Sequence, residues 1–190
     1  KFVYDKKKIK TFKIDLIKDT KKLIGLLKKI KPSIILDHAS ICMVQESWKY
    51  PKRYFDINVK SRFDIIEELS NKSFLKKYIY ISTPEIFGSS KDKIEEKSSA
   101  FNPSTPYAAS KLSAEINFKH ALVSKKFPLI ISRFSNFYGP GQPLYRLIPK
   151  ALISLKKKLS FPLHGNGNSK RNFIYTDDFC EGINRMITKG

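Results

Sequence analysis

Apolar positions recur along the chain with two alternating periods. Thr11-Phe12-Lys13-Ile14-Asp15-Leu16 alternates as a strand does, and from Thr20 to Ile30 the residues Leu23, Ile24, Leu26, Leu27 and Ile30 form the stripe of an amphipathic helix. Pro32 ends that helix. Ser33-Ile34-Ile35-Leu36 is an apolar run that reads as a buried parallel strand, leading into Asp37-His38-Ala39-Ser40 and then a helix. Phe55, Val59, Phe63, Ile66 and Leu69 predict a helix from Tyr54 to Leu69, and Tyr78-Ile79-Tyr80-Ile81-Ser82 a second buried strand. A polar loop from Gly88 to Pro106, a helix from Tyr107 to about Ser124 and an apolar strand from Leu129 to Phe134 follow. Strand and helix alternate, which specifies an α/β domain with a parallel sheet, because parallel neighbours need helical crossovers. Beyond Gly139-Pro140-Gly141 the pattern changes. It predicts a helix over Leu147 to Leu159, a short strand at Phe161 to Leu163, a Gly/Asn turn and a last helix from Asp177.

The chain has 190 residues, of which 41% are hydrophobic, enough to fill a core, so a disordered polycation is excluded despite the charge. That length predicts one domain, or one domain and part of a second. The longest apolar runs, such as Pro128-Leu129-Ile130-Ile131, fall far short of the ~20 residues of a membrane-spanning helix. Two cysteines, Cys42 and Cys180, stand in no short-spaced pattern, which argues against a disulfide scaffold or a cysteine-based metal site and predicts a reducing cytoplasm.

Charge raises a competing reading. With 37 Lys+Arg against 17 Asp+Glu, the net charge is +20, which suits a basic nucleic-acid-binding domain. Yet 31 of the 37 are Lys and only six are Arg, whereas base edges and phosphates are read two-pronged by Arg. Lysines spread over helix faces and loops read as solvated surface, so nucleic acid is not the expected partner.

Tyr107-Ala108-Ala109-Ser110-Lys111 sets a phenol and an ammonium four residues apart, on one helical face. A nearby lysine charge favours the phenolate, so the hydroxyl can exchange protons closer to neutral pH than its usual value of ~10. Ile81-Ser82-Thr83 closes a buried strand, and ligands of open α/β sheets bind outside the carboxyl ends of strands. A hydroxyl there can bind a substrate oxygen.

These residues carry a resemblance. With Asp15-Leu16, His38-Ala39-Ser40, Asn58-Val59, the run from Ser82 to Gly88, Pro103 through Lys111, Arg133 to Asn136 with Tyr138-Gly139-Pro140-Gly141, and Gly165-Asn166-Gly167 with Arg171, the chain resembles the extended short-chain dehydrogenase/reductases. Within them it is similar to the NAD-dependent nucleotide-sugar epimerases and dehydratases, most of all the dTDP-glucose 4,6-dehydratase branch. The resemblance implies a catalytic group of Thr83, Tyr107 and Lys111. Tyr107 takes the proton of the sugar 4-hydroxyl as hydride leaves C4 for NAD, Thr83 hydrogen-bonds that hydroxyl, and Lys111 holds the cofactor ribose and favours the Tyr107 phenolate.

Asp15 and Leu16 are implied near the adenine, and Ala39 and Ser40 near the ribose and phosphates. Asn58 completes the cofactor residues. Asn136, Arg146 and Arg171 are implied as nucleotide-sugar contacts, Arg171 because its fork matches diphosphate oxygens. The His164-Gly165-Asn166-Gly167 turn is either a backbone approach to the nucleotide or ordinary turn chemistry. His38 is assigned no role.

In the dehydratases an Asp-Glu pair follows the threonine; here the Asp position is Pro84, so only Glu85 remains as acid or base. Glu85 is either that group or a solvated carboxylate. A UDP-sugar 4-epimerase, which needs no such elimination, is therefore the alternative, and a scaffold without catalysis is a further one.

The eight glycines form no GxGxxG or GxxGxxG series, the loop that seats a pyrophosphate on a helix N-terminus. Matching Thr11 to Leu16 to the family's third strand predicts an incomplete Rossmann-like parallel sheet lacking its first two strands, and hence an internal portion of a longer enzyme, inactive alone. The predicted division is residues 1–140 as the NAD-binding part and 141–190 as the start of the nucleotide-sugar-binding part. The family commonly forms homodimers through the Tyr-bearing helix and its neighbour.

Overall fold

The computed structural model describes residues 9–90, 93–163, 167–168 and 170–190. In chain order the elements are α1 (Thr20–Ile30), β1 (Ile34–Asp37), α2 (Val44–Lys49), α3 (Pro51–Phe55), a π-helical turn (Asp56–Lys60), α4 (Ser61–Leu69) and β2 (Lys77–Ile81). A 3-10 turn (Pro84–Phe87), α5 (Pro106–Lys125), β3 (Leu129–Ser132), β4 (Asn136–Tyr138), α6 (Leu147–Lys156), β5 (Phe173–Tyr175) and α7 (Thr176–Lys189) complete the chain. Two compact units result: Phe12–Arg133 with Met186–Gly190, and Phe134–Arg185 with residues 9–11.

The first unit carries a parallel sheet in the order β1-β2-β3. Asp37 pairs with Tyr80, and Ile81 with Ser132, so the carboxyl ends of all three strands lie along one edge. Helices α2 to α4 make the crossover from β1 to β2, and α5 that from β2 to β3. Tyr78 and Tyr80 point to one face of β2, as period-2 alternation requires, and meet Phe118 of α5 at ring separations of 5.1 and 4.8 Å. Ile65, Ile66 and Leu69 of α4, Ala114 of α5 and Phe127 complete this core. Burying such side chains contributes ~1.5–3 kcal/mol each, which fixes α4 and α5 against the sheet.

The ends of α5 follow from its sequence. Thr105 accepts from the Ala108 N–H at 3.1 Å, and Pro106 occupies the first helical position, where its missing N–H costs nothing. Gly88 closes the 3-10 turn at φ 65°, and a Cβ there would collide with the carbonyl oxygen of Asn102, so this position requires glycine. Lys77 donates to the carbonyls of Ile187 and Met186 at 2.7 and 3.3 Å, satisfying the end of α7.

In the second unit β4 and β5 pair in parallel, Asn136 opposite Phe173. Phe179 of α7 meets Phe134 and Phe137 at 4.6 and 4.8 Å.

Several expectations are corrected. Thr11 to Leu16 forms no strand; it has no ladder partner among the described residues, and alternation without a partner leaves no strand. Phe161 to Leu163 forms none either. β1 is a parallel strand but not a buried one, since Ile34 and Leu36 are 36% and 44% exposed at the open edge of the sheet. The single helix expected from Tyr54 to Leu69 is α3 and α4 joined by the π-helical turn.

Candidate active site

Thr83 follows β2 and caps the 3-10 turn, its hydroxyl accepting from the Glu85 N–H at 3.3 Å. The chain then returns with the Asn102 N–H donating to the Ile86 carbonyl at 2.9 Å, and reaches Tyr107 in the first turn of α5. Lys111, one helical turn beyond Tyr107, donates from Nζ to the Ile81 carbonyl at 2.6 Å. That bond ties the Tyr107 face of α5 to the strand end that bears Thr83. Thr83 and Tyr107, each 8% exposed, stand at the margin of the core, and Lys111, at 2%, lies within it.

Lys111 is held in a poor solvent for its charge. Burial pulls its pKa down to about 8, against opposing help from Asp37 and Glu115. Its ammonium lies 4.2 Å from the Tyr80 ring centroid, a cation–π contact inside the unit. The Tyr80 hydroxyl and the Ser82 hydroxyl are both buried without a hydrogen-bond partner. Tyr54 stands edge-on to Tyr107, ring centroids 6.3 Å apart, and its own hydroxyl donates to the Met43 carbonyl at 2.6 Å.

After β1, His38 and Ala39 are exposed and Ser40 half-buried. Partial desolvation by the surrounding protein holds the His38 imidazole below its usual pKa, and the Lys111 charge acts in the same direction. Asn58 is wholly buried in the π-helical turn. Its amide oxygen accepts from the Ile41 N–H and its nitrogen donates to the Ile41 carbonyl, both at 3.2 Å, and also to the Ser110 hydroxyl at 3.0 Å. It therefore braces the β1 loop against α5 from within.

Asp15 is exposed, and its carboxylate accepts from the Ile17 and Lys18 N–H groups, the first of which chiefly lowers its pKa. Leu16 and Ala39 meet at one pocket of about 160 Å³, lined also by Leu36, Asp37, Arg62 and Tyr78. The slot is apolar and borders the exposed Ala39, while Ser40, Tyr107 and Lys111 lie outside its lining. Glu85 is half-buried at the turn after Thr83.

The substrate candidates belong to the second unit. The Asn136 side chain donates to the Asn172 carbonyl at 3.4 Å, which brings Asn136 and the exposed Arg171 to the same end of the β4–β5 pair. Arg146 precedes α6 and lies 5.6 Å from the Tyr145 ring. A separate pocket of about 400 Å³ is lined by Tyr138, Gly139, Gln142, Leu152 and Tyr175. His164, Gly165 and Asn166 of the expected glycine turn lie outside the described residues.

Sequence reasoning missed Asp37 and Arg62, which form a buried ion pair at 2.7 Å. The available signal was a lone arginine, among six in the chain, four residues beyond Asn58 in a helix with an apolar face. Among the described residues no helix is long and apolar enough to cross a membrane.

Comparison with known proteins gives a consistent result. The NAD dependent epimerase/dehydratase family matches residues 3–190. The dTDP-D-glucose 4,6-dehydratase of Dictyostelium discoideum is 32% identical over 185 residues, covering 92% of this chain and 42% of that protein. The solved dTDP-glucose 4,6-dehydratase of Streptomyces venezuelae, with NAD bound, superposes at a TM-score of 0.77 with 27% identity, covering 90% of this chain and 52% of that one. The UDP-glucuronic acid 4-epimerase of Bacillus cereus, with UDP-glucuronic acid and NAD, gives 0.82 and 25%, covering 93% and 55%. The chain spans about half the length of the curated relatives it matches.

Proposed function

Because the chain belongs to the NAD dependent epimerase/dehydratase family, we propose that it carries the proton-transfer group of an NAD-dependent nucleotide-sugar dehydratase of the dTDP-glucose 4,6-dehydratase kind. One observation carries the reading: Lys111, a helical turn from Tyr107, is bonded to Ile81, two residues before Thr83. A phenol, an ammonium and an alcohol so joined at the carboxyl end of a parallel sheet suit proton transfer to and from a sugar hydroxyl.

In this reading Tyr107 accepts the proton of the sugar 4-hydroxyl as hydride leaves C4, and that oxygen stays a ketone in the dehydrated product. Thr83 hydrogen-bonds the same oxygen and holds it in line. The Lys111 charge favours the Tyr107 phenolate and faces the ribose. Bound NAD supplies the acceptor and donor of the C4 hydride. Leu16 lines the adenine slot with Asp15 beside it, and Ala39 and Ser40 face ribose and phosphate, with Asn58 bracing them from behind. Asn136, Arg146 and Arg171 bind the nucleotide-sugar; apart from Asn136, residues 1–140 serve NAD, and 141–190 serve the substrate.

Glu85 gives the dehydratase reading its acid or base, taking the C5 proton or protonating the departing 6-hydroxyl. Pro84, which has no proton to give, stands beside it. That residue favours a second reading, a UDP-sugar 4-epimerase using Tyr107 and Thr83 alone.

A homodimer through α5 and the neighbouring α3 and α4 is supported by the exposed Ile116, Val123, Phe55 and Phe63. We place the enzyme in the cytoplasm, without a nucleic-acid partner. The test mixes the full-length protein with oxidised NAD and either dTDP-glucose or a UDP-hexose. A 4-keto product that has lost one water supports the dehydratase, and a C4-inverted sugar the epimerase. No altered product with any of them overturns both.

A further inference from the structure

Arg62 uses every donor it has. Nε and Nη2 donate to the two carboxylate oxygens of Asp37 at 3.0 and 2.7 Å, and Nη2 also to the carbonyl of Ala39. Nη1 donates to the Ile57 carbonyl at 2.6 Å and the Ser61 hydroxyl at 2.8 Å. The Tyr78 hydroxyl donates to Asp37 at 2.8 Å, from the adjoining strand. Arg62 is 1% exposed. Burial works against its charge, and Asp37 with Tyr78 outweighs it, so the guanidinium is held more firmly protonated than usual.

The consequence falls on the turn after β1. Its Ala39 carbonyl is held by Arg62, and both backbone groups of Ile41 are held by Asn58, four residues earlier in the same helical stretch. The turn is thus pinned from its buried side while Ala39 stays exposed, beside the pocket it shares with Arg62. A planar five-donor fork can grip a carboxylate with two bonds and reach a carbonyl besides; a lysine ammonium cannot match that geometry.

We infer that Arg62 is a positioning residue for the dinucleotide, fixing the Ala39–Ile41 turn against which the cofactor's ribose and phosphates lie; the inference rests on the cofactor reading given above. Arg62 touches no reacting atom. Its effect is pre-organisation, which lowers the ordering cost of binding.

The test measures NAD and dTDP binding to the full-length protein by calorimetry, beside its melting temperature. Arg62→Lys weakens NAD about tenfold, as expected where a turn must be ordered on binding, and leaves dTDP within about twofold. Tyr78→Phe, which loosens Asp37 without touching Ala39, leaves NAD within about twofold. Arg62→Met with Asp37→Leu replaces the ion pair by apolar groups and restores packing, and still binds NAD about tenfold more weakly because the Ala39 carbonyl is unheld. Unchanged NAD affinity in either Arg62 variant overturns the inference, as does equal weakening of NAD and dTDP. Unmodified protein that binds dTDP but no NAD overturns the cofactor reading itself, and this inference with it.

Discussion

The Lys111 ammonium donates to the Ile81 carbonyl at 2.6 Å, joining α5, whose first turn carries Tyr107, to the last residue of β2, two before Thr83. Residues 30 positions apart are thereby held in one site by a single charge-assisted bond.

That ammonium makes stability depend on pH in a defined direction. Its pKa falls from the ordinary 10.5 to about 8 in the folded chain because burial disfavours the charge. Between those values the unfolded chain keeps a proton that the folded chain has released, so this group makes stability rise with pH across the window. Below it both states are protonated and the burial penalty is full. The melting temperature of wild type relative to that of Lys111→Met is expected to rise between pH about 8 and 10.5, the window set by the two pKa values. Parallel curves sink the assignment.

Tyr107→Phe keeps the ring that stands against Tyr54 and removes only the hydroxyl. In the full-length protein kcat is expected to drop by about 10²–10⁴, with NAD affinity and melting temperature nearly unchanged. Retained turnover would show that the scaffold works without this proton transfer.

Glu85→Gln separates the two enzyme readings. Loss of 4-keto product by about 10²-fold or more, with C4 oxidation preserved in single-turnover absorbance, is expected for a dehydratase. Unchanged turnover on UDP-hexoses points instead to epimerisation.

Asn58→Ala strips the Ile41 backbone and Ser110 of their buried partner. Urea unfolding is expected to show a loss of about 2–4 kcal/mol, since buried donors and acceptors are left unsatisfied. A loss below ~0.5 kcal/mol would mean water or another group replaces the amide there.

Gly88→Ala faces both a positive φ and the Asn102 carbonyl. It is expected to destabilise by more than ~1 kcal/mol, beyond the usual cost of a left-handed alanine. Wild-type stability in denaturant would show that the loop shifts freely.

Long amphipathic segments were legible in the chain. The stripe from Leu23 to Ile30 became α1, and the apolar run around Ile79 became β2, because periodicity over several turns or residues outweighs local ambiguity. The three-residue strands were not. The three residues of β4 and of β5 are too few to show a period, and Thr11 to Leu16 alternates yet forms no strand without a ladder partner. At the site, the Tyr107–Lys111 spacing was readable because four residues make one helical turn. Asn58 was expected to face the cofactor, and it lies wholly buried with its amide committed to Ile41 and Ser110.

The amino-acid order alone determined the α/β alternation, the helical face shared by Tyr107 and Lys111 and the ordered segments that mark the family, since each depends on short spacings. Only the tertiary structure decided that Lys111 reaches Ile81, that Asp37 and Arg62 meet 25 residues apart, and that Asn58 turns inward. Burial and long-range hydrogen bonding exist only once β1, β2, α4 and α5 have packed, and no local spacing encodes which polar groups that packing removes from water.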